Sequence, residues 1–167
     1  MAGKIKLIIF DLDGVLVEAK NIHYEALNEA LGNEYAISWN EHLSTYDGLK
    51  TTQKLEMLSE KKGLPIDSHN DIWEFKQELT LQKLRALEPN SGLIQCMTNL
   101  VSEGYKIAVC SNSIRKTCLT VLSKLGIMEF LDLVISNEDV KNGKPHPEMY
   151  WKAISMMSCF PVTIWRK

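Results

Sequence analysis

Lys6-Leu7-Ile8-Ile9-Phe10-Asp11-Leu12-Asp13-Gly14-Val15-Leu16 is the stretch whose reading decides the fold of this chain. An apolar run of strand-forming residues stops at two carboxylates spaced i, i+2, and a glycine follows at once. Residues two apart in an extended backbone point to the same side, so Asp11 and Asp13 face one small volume. The glycine admits a turn that brings main-chain amides close to a ligand. A nucleophile-capable carboxylate, a second carboxylate for proton transfer and anion-binding amides together suit phosphoryl chemistry. A calcium loop of the EF-hand type also opens on Asp at its first and third positions, but it needs a ligand at five, glycine at six and glutamate at twelve. Val15, Leu16 and Ile22 occupy those places, which excludes calcium.

Outward from that stretch, strand-like runs recur at Lys106–Cys110 and Leu133–Ser136, with the first at Ile5–Phe10 and a last one expected at Val162–Trp165. Helical spacing lies between them. Leu93, Met97, Leu100 and Val101 recur at three- and four-residue intervals before Gly104. Cys118, Val121, Leu122 and Leu125 do so before Gly126, and Tyr150, Ala153, Ile154 and Met157 after Pro147. Strands alternating with helices of this length predict an α/β fold built on a parallel sheet. The interval from roughly Glu18 to Glu88 breaks the alternation with helical periodicity at Tyr24–Leu31, Gln53–Lys61 and Ile72–Leu87. It reads as a helical insertion emerging after the first strand, at the carboxyl end of the sheet where open α/β sheets bind ligands.

The chain has 167 residues, 45% apolar and 24% charged, an ordinary globular composition. A net charge of −2 gives no reason to expect nucleic acid or an anionic membrane as partner. No apolar run has the length of a membrane span, and the N-terminus lacks the form of a cleavable signal peptide. Cys96, Cys110, Cys118 and Cys159 show no C-x-x-C spacing and sit within apolar patterns, so buried thiols in a reducing cytosol are expected. The expected location is cytoplasmic.

Three further elements belong with the carboxylate pair. Ser111-Asn112-Ser113 follows a strand and precedes a helix, where unpaired N–H groups favour phosphate, although Ser and Asn are equally ordinary helix caps. Lys144 stands in Gly143-Lys144-Pro145-His146-Pro147, a proline-stiffened turn soon after the third strand, where it can offset phosphate and carboxylate charge. The insertion contributes His23, at a helix start, and the loop Tyr46-Asp47-Gly48-Leu49-Lys50-Thr51.

Asp11-x-Asp13-Gly14, Ser111-Asn112-Ser113 and Gly143-Lys144-Pro145, in this order along the chain, resemble the motifs of the haloacid dehalogenase-like superfamily. The insertion is similar to the small cap of its phosphoglycolate phosphatase and β-phosphoglucomutase branch. The resemblance implies a Rossmann-like core over residues 1–16 and 89–167, and a helical cap over 17–88. It implies that Asp11 attacks phosphorus to form an aspartyl-phosphate, that Asp13 protonates the leaving oxygen and then activates water, and that Lys144 assists both. Leu12, Gly14, Ser111, Asn112 and Lys144 would hold phosphate, with His23, Gly48 and Lys50 contacting substrate from the cap. Magnesium would bind the Asp11 carboxylate and the Asp13 carbonyl.

One element departs from that pattern. The family's acidic fourth motif should follow the strand introduced by Pro161-Val162-Thr163-Ile164, yet Trp165-Arg166-Lys167 carry no carboxylate, and Glu138 and Asp139 precede Lys144. The sequence therefore leads to three expectations: an incomplete magnesium site, weakened metal-dependent turnover, and a first strand whose free edge could pair with another chain. The leading functional expectation is hydrolysis of a small phosphorylated metabolite. A sugar-phosphate mutase is the alternative, disfavoured because Gly48-Leu49-Lys50-Thr51-Thr52 lacks an arginine for a second phosphate. A non-catalytic phosphate- or partner-binding protein is the other alternative.

Overall fold

The computed structural model describes residues 6–157. In chain order the elements are β1 (Leu7–Phe10), α1 (Lys20–Tyr35), α2 (Trp39–Glu41), a π-helical turn (His42–Tyr46), α3 (Thr51–Lys62), α4 (His69–Leu84), α5 (Ser91–Ser102), β2 (Lys106–Cys110), α6 (Arg115–Lys124), β3 (Leu133–Ile135) and α7 (Glu148–Met156). They fall into two compact units, Met1–Glu18 with Leu87–Lys167, and Ala19–Ala86. None of the described helices is long and apolar enough to cross a membrane.

The discontinuous unit is an α/β fold around a parallel sheet in the order β1-β2-β3. Leu7 pairs with Lys106 and Phe10 with Val109, while Ala108 pairs with Leu133 and Cys110 with Ile135. β2 is central and apolar on both faces, as a strand covered on both sides must be. Ala108 and Cys110 join Ile135, Met149 and Ala153 in a cluster that seats α7 on the sheet. Ile107 and Val109 alternate to the opposite face and are fully buried too. Burial of each of these larger side chains contributes about 1.5–3 kcal/mol, so the strand is held mainly from its faces. The expected strand at Val162–Trp165 lies outside the described residues, and β1 has β2 as its one strand neighbour among those described.

The register brings the carboxyl ends of the three strands level. Asp11 follows Phe10 directly, Ser111 follows Cys110, and the Ser111 N–H donates to the Ile135 carbonyl at 2.9 Å. Three segments far apart in sequence therefore leave the sheet at one end.

The helical unit, Ala19–Ala86, has its own core of Leu27, Leu31, Ile37, Tyr46, Leu55, Leu58 and Leu64, with Tyr24 and Trp73 packed against it. α1 lies along α4. Gly63, left-handed at φ 72°, ends α3 with its N–H bonded to the Ser59 carbonyl at 3.1 Å. The structure adds one helical segment that the periodicity does not mark and shifts another. The segment from Trp39 to Tyr46 is helical: a capping box opens it, with Ser38 N–H donating to Glu41 Oε2 at 2.7 Å and Glu41 N–H to Ser38 Oγ at 3.2 Å. The helix expected over Ile72–Leu87 runs from His69 to Leu84, because Arg85 closes it through a bond to the Leu81 carbonyl.

Candidate active site

Leu12 anchors the turn after β1. Its side chain is fully buried, and its carbonyl accepts the N–H groups of Leu16 and Val17 at 3.0 and 3.1 Å. Gly14, at φ 78°, reverses the chain and donates its N–H to the Val17 carbonyl at 2.8 Å. A side chain is disfavoured at that φ. The turn holds Asp11 and Asp13 just past the end of β1. It also uses the amides expected to meet a ligand, because the Leu12 N–H donates to Asp11 Oδ1 at 2.7 Å and the Gly14 N–H stays within the turn.

Asp11 Oδ1 also receives the Lys144 ammonium at 2.6 Å. Both donors converge on Oδ1, and Oδ2 has no partner among the described residues. The Asp11 side chain is 41% exposed, whereas Lys144 is 16% exposed. The carboxylate is thus oriented from one side and open on the other. Lys144 additionally donates to the Cys110 carbonyl at 3.2 Å.

The three residues after β2 reach different neighbours. Ser113 Oγ donates to Asp13 Oδ2 at 3.0 Å. Ser111 is fully buried; its Oγ accepts the Ser113 N–H at 3.0 Å and faces Asp13 Oδ2 at 3.5 Å, long for a hydroxyl hydrogen bond. Asn112 turns away from both carboxylates and engages the Lys144 main chain. Ser113 was not singled out from the sequence, although the same i, i+2 argument that pairs Asp11 with Asp13 also pairs it with Ser111.

The acids after β3 support this loop. Glu138 accepts the Arg115 N–H at 2.6 Å, and Asp139 pairs with the Arg115 guanidinium and accepts the Ser136 N–H and hydroxyl, each at 2.7 Å. Partial burial raises the Asp139 carboxyl, but Arg115 and Ser136 outweigh it and bring it down to about 2. Asn137 donates its N–H to the Ser113 carbonyl at 3.2 Å, so the β2 and β3 loops are tied together. Burial pushes the Cys110 thiol up to about 12 and the Cys118 thiol up to about 11, which leaves both protonated and unreactive at neutral pH.

Within the helical unit, His23 lies in the first turn of α1 with Nδ1 3.5 Å from Lys76 Nζ. Lys76 is 7% exposed, and no local pattern marks it as a buried lysine. Gly48 adopts φ 75° and donates to Asp47 Oδ1 at 3.1 Å, while Asp47 pairs with Lys20 at 3.0 Å. Lys50 is exposed, and its N–H donates to Gln53 Oε1 at 3.0 Å.

No group of three or more His, Cys, Asp or Glu side chains gathers around a metal-sized space among the described residues. At the sheet end, Asp11 Oδ2 is a carboxylate oxygen with no partner among the described residues.

Residues 8–162 match the family model of the haloacid dehalogenase-like hydrolases. A relative from Thermotoga maritima named phosphorylated carbohydrates phosphatase is 25% identical over 166 residues, spanning 94% of this chain and 73% of that protein. Among solved structures, CbbY from Rhodobacter sphaeroides in complex with phosphate is similar with a TM-score of 0.81 at 20% identity, covering 93% of this chain and 74% of that one. The β-phosphoglucomutase of Clostridium difficile matches with a TM-score of 0.78 at 23% identity, covering 93% and 72%.

Proposed function

The chain belongs to the haloacid dehalogenase-like hydrolase family, and we propose that it hydrolyses a small phosphorylated, carbohydrate-like metabolite through an aspartyl-phosphate on Asp11. The observation that carries this reading is the asymmetry of the Asp11 carboxylate: Oδ1 is held by Lys144 and the Leu12 N–H, and Oδ2 is open. A carboxylate oriented in this way is suited to nucleophilic attack. The name of the Thermotoga relative supports the substrate class.

In the first half-reaction Asp11 Oδ2 bonds to phosphorus, the bond from phosphorus to the leaving oxygen breaks, and protonated Asp13 gives its proton to that oxygen. In the second, Asp13 takes a proton from water, whose oxygen attacks phosphorus. The bond from phosphorus to Asp11 then breaks, releasing inorganic phosphate. Ser113 holds Asp13 between these roles. Lys144 offsets charge on the phosphoryl oxygens, the electrostatic task that dominates phosphoryl transfer. Ser111 shapes the loop by accepting the Ser113 N–H, and its hydroxyl is the candidate donor to phosphate.

In this proposal magnesium would be held at this end of the sheet by the Asp11 carboxylate and the Asp13 carbonyl, fewer protein ligands than the family's full set. The Asp11 carboxylate and the Asp13 carbonyl are hard oxygens, and magnesium is commonly held by one or two carboxylates with water and phosphate completing its shell. When bound it would add positive charge beside the phosphoryl group. In the same proposal the helical unit acts as a cap that governs substrate choice, with His23, Gly48 and Lys50 as its candidate contacts. Lysine rather than arginine at position 50 favours hydrolysis over a mutase reaction, since a point charge lacks the bidentate grip on a second phosphate.

The test is turnover of p-nitrophenyl phosphate, with and without magnesium, by the wild type and Asp11→Asn. Magnesium-stimulated turnover that falls at least ~1,000-fold in Asp11→Asn is expected, the scale of losing an essential nucleophile. Equal rates in the two proteins would overturn the proposal. Phosphorus NMR of a sugar phosphate separates the alternatives, because hydrolysis releases inorganic phosphate and a mutase moves it.

A further inference from the structure

We infer that Asn112 is a positioning residue that acts through Lys144 and does not touch substrate; this rests on the reading of Asp11 and Lys144 given above. Asn112 Oδ1 accepts the Lys144 N–H at 2.8 Å, and Asn112 Nδ2 donates to the Lys144 carbonyl at 3.0 Å. Both polar ends of the side chain thus close on one residue, in the manner of two paired backbone segments.

The loop carrying Lys144 has little else to hold it there. Pro145 and Pro147 have no N–H to give. The Lys144 peptide groups make no main-chain hydrogen bond among the described residues. The neighbouring anchors lie to either side: the His146 N–H donates to the Gly143 carbonyl at 3.0 Å, and Glu148 accepts the Lys141 and Asn142 N–H groups at 2.7 and 2.9 Å.

A lysine reaches its target on a flexible four-carbon stem, so its ammonium is placed only as well as its Cα is. From the clamped backbone Nζ meets Asp11 Oδ1 at 2.6 Å and the Cys110 carbonyl at 3.2 Å. Asn112 is two residues past Cys110, so the clamp ties the β2 end to the residue whose ammonium returns to that same end. Displacements near 1 Å in such an arrangement can cost about 100-fold in rate.

The test is a double-mutant cycle read as p-nitrophenyl phosphate turnover. Asn112→Ala should lower kcat ~10- to 100-fold with KM changed less than ~3-fold. In a Lys144→Met background the same change should alter the residual rate less than ~2-fold, because a residue acting through another is non-additive with it. Asn112→Asp, which is isosteric and keeps the acceptor for the Lys144 N–H, should recover part of the loss and serves if the alanine variant does not fold. An unchanged kcat, or equal losses in both backgrounds, would overturn the inference.

A second readout separates this inference from the proposed function. If the wild type turns nothing over, the proposed hydrolysis fails, and crystal structures of the wild type and Asn112→Ala, which removes both bonds to Lys144, then decide the clamp. Lengthening of the Lys144–Asp11 contact beyond 4 Å in the variant supports it, and an unmoved ammonium refutes it.

Discussion

Replacing Lys144 by methionine separates what the ammonium does for folding from what it does for chemistry. At 2.6 Å two unit charges attract by about 6 kcal/mol at an effective dielectric of about 20, and by about 2 kcal/mol or less in bulk water. Asp11 is 41% exposed, so solvent screening pulls the pair toward the lower figure, and side-chain ordering removes part of what remains. Methionine also fills most of the space the lysine stem occupies, and Asp11 keeps its bond from the Leu12 N–H. The expected stability change is therefore small, about 1–2 kcal/mol, for a half-exposed pair together with the bond that the ammonium gives the Cys110 carbonyl.

Chemistry is a different matter. In the proposed mechanism the ammonium stands where phosphoryl charge accumulates, and removing one such preorganised group costs about 100- to 1,000-fold in kcat, roughly 3–4 kcal/mol. The assay is steady-state turnover of p-nitrophenyl phosphate at saturating magnesium, beside a urea denaturation curve of the same preparation. A Lys144→Met protein with kcat/KM within threefold of wild type would refute the electrostatic role. A large fall in stability would refute the screening argument.

Two other outcomes follow from the titrating groups. Burial lowers the pKa of His42, reinforced by nearby Lys54, Lys20 and His23 and opposed by Asp47; its Nδ1 is buried with no hydrogen-bond partner among the described residues. The folded state therefore prefers the neutral ring. The stability this group contributes is complete above its unfolded pKa of about 6.5 and is lost as pH falls from there through the lowered folded value. Urea midpoints should drop between pH 7.5 and 5, and His42→Phe should flatten part of that slope. Among the described cysteines, Cys96 is exposed while Cys110 and Cys118 are buried protonated thiols. Brief iodoacetamide treatment at pH 7.5 followed by peptide mass spectrometry should label Cys96 and spare the other two until denaturant is added.

The sequence made the sheet legible because its signals are local. Lys106–Cys110 was read with its observed bounds, since four apolar residues end sharply at Ser111. Asp11 and Asp13 lie just past Phe10, where the abrupt end of the apolar run marks the end of β1. The Trp39–Tyr46 segment was missed although Ser38-Trp39-Asn40-Glu41 carries a capping-box signature, and the π-helical turn that follows has no comparable signal. Burial of Lys76 beside His23 depends on two helices packing together. The engagement of Asn112 with a residue 32 positions away has no local trace either, and the same residue read locally is an ordinary helix cap. Local pattern was readable, and geometry that depends on tertiary contact was not.

The wiring of the sheet also sets an order of events during synthesis. Asp13 meets Ser111 and Ser113 across separations of 98 and 100 residues, with the whole Ala19–Ala86 unit between. At about 5–20 residues per second, β1 leaves the ribosome roughly 5–20 seconds before its neighbour exists. The helical unit, continuous in sequence and with its own apolar core, can collapse in that interval. The apolar first strand waits unpaired. A nascent chain stalled before Lys106 should therefore hold folded helices beside a sticky, unfinished strand, and that is the stage at which a chaperone has most to protect.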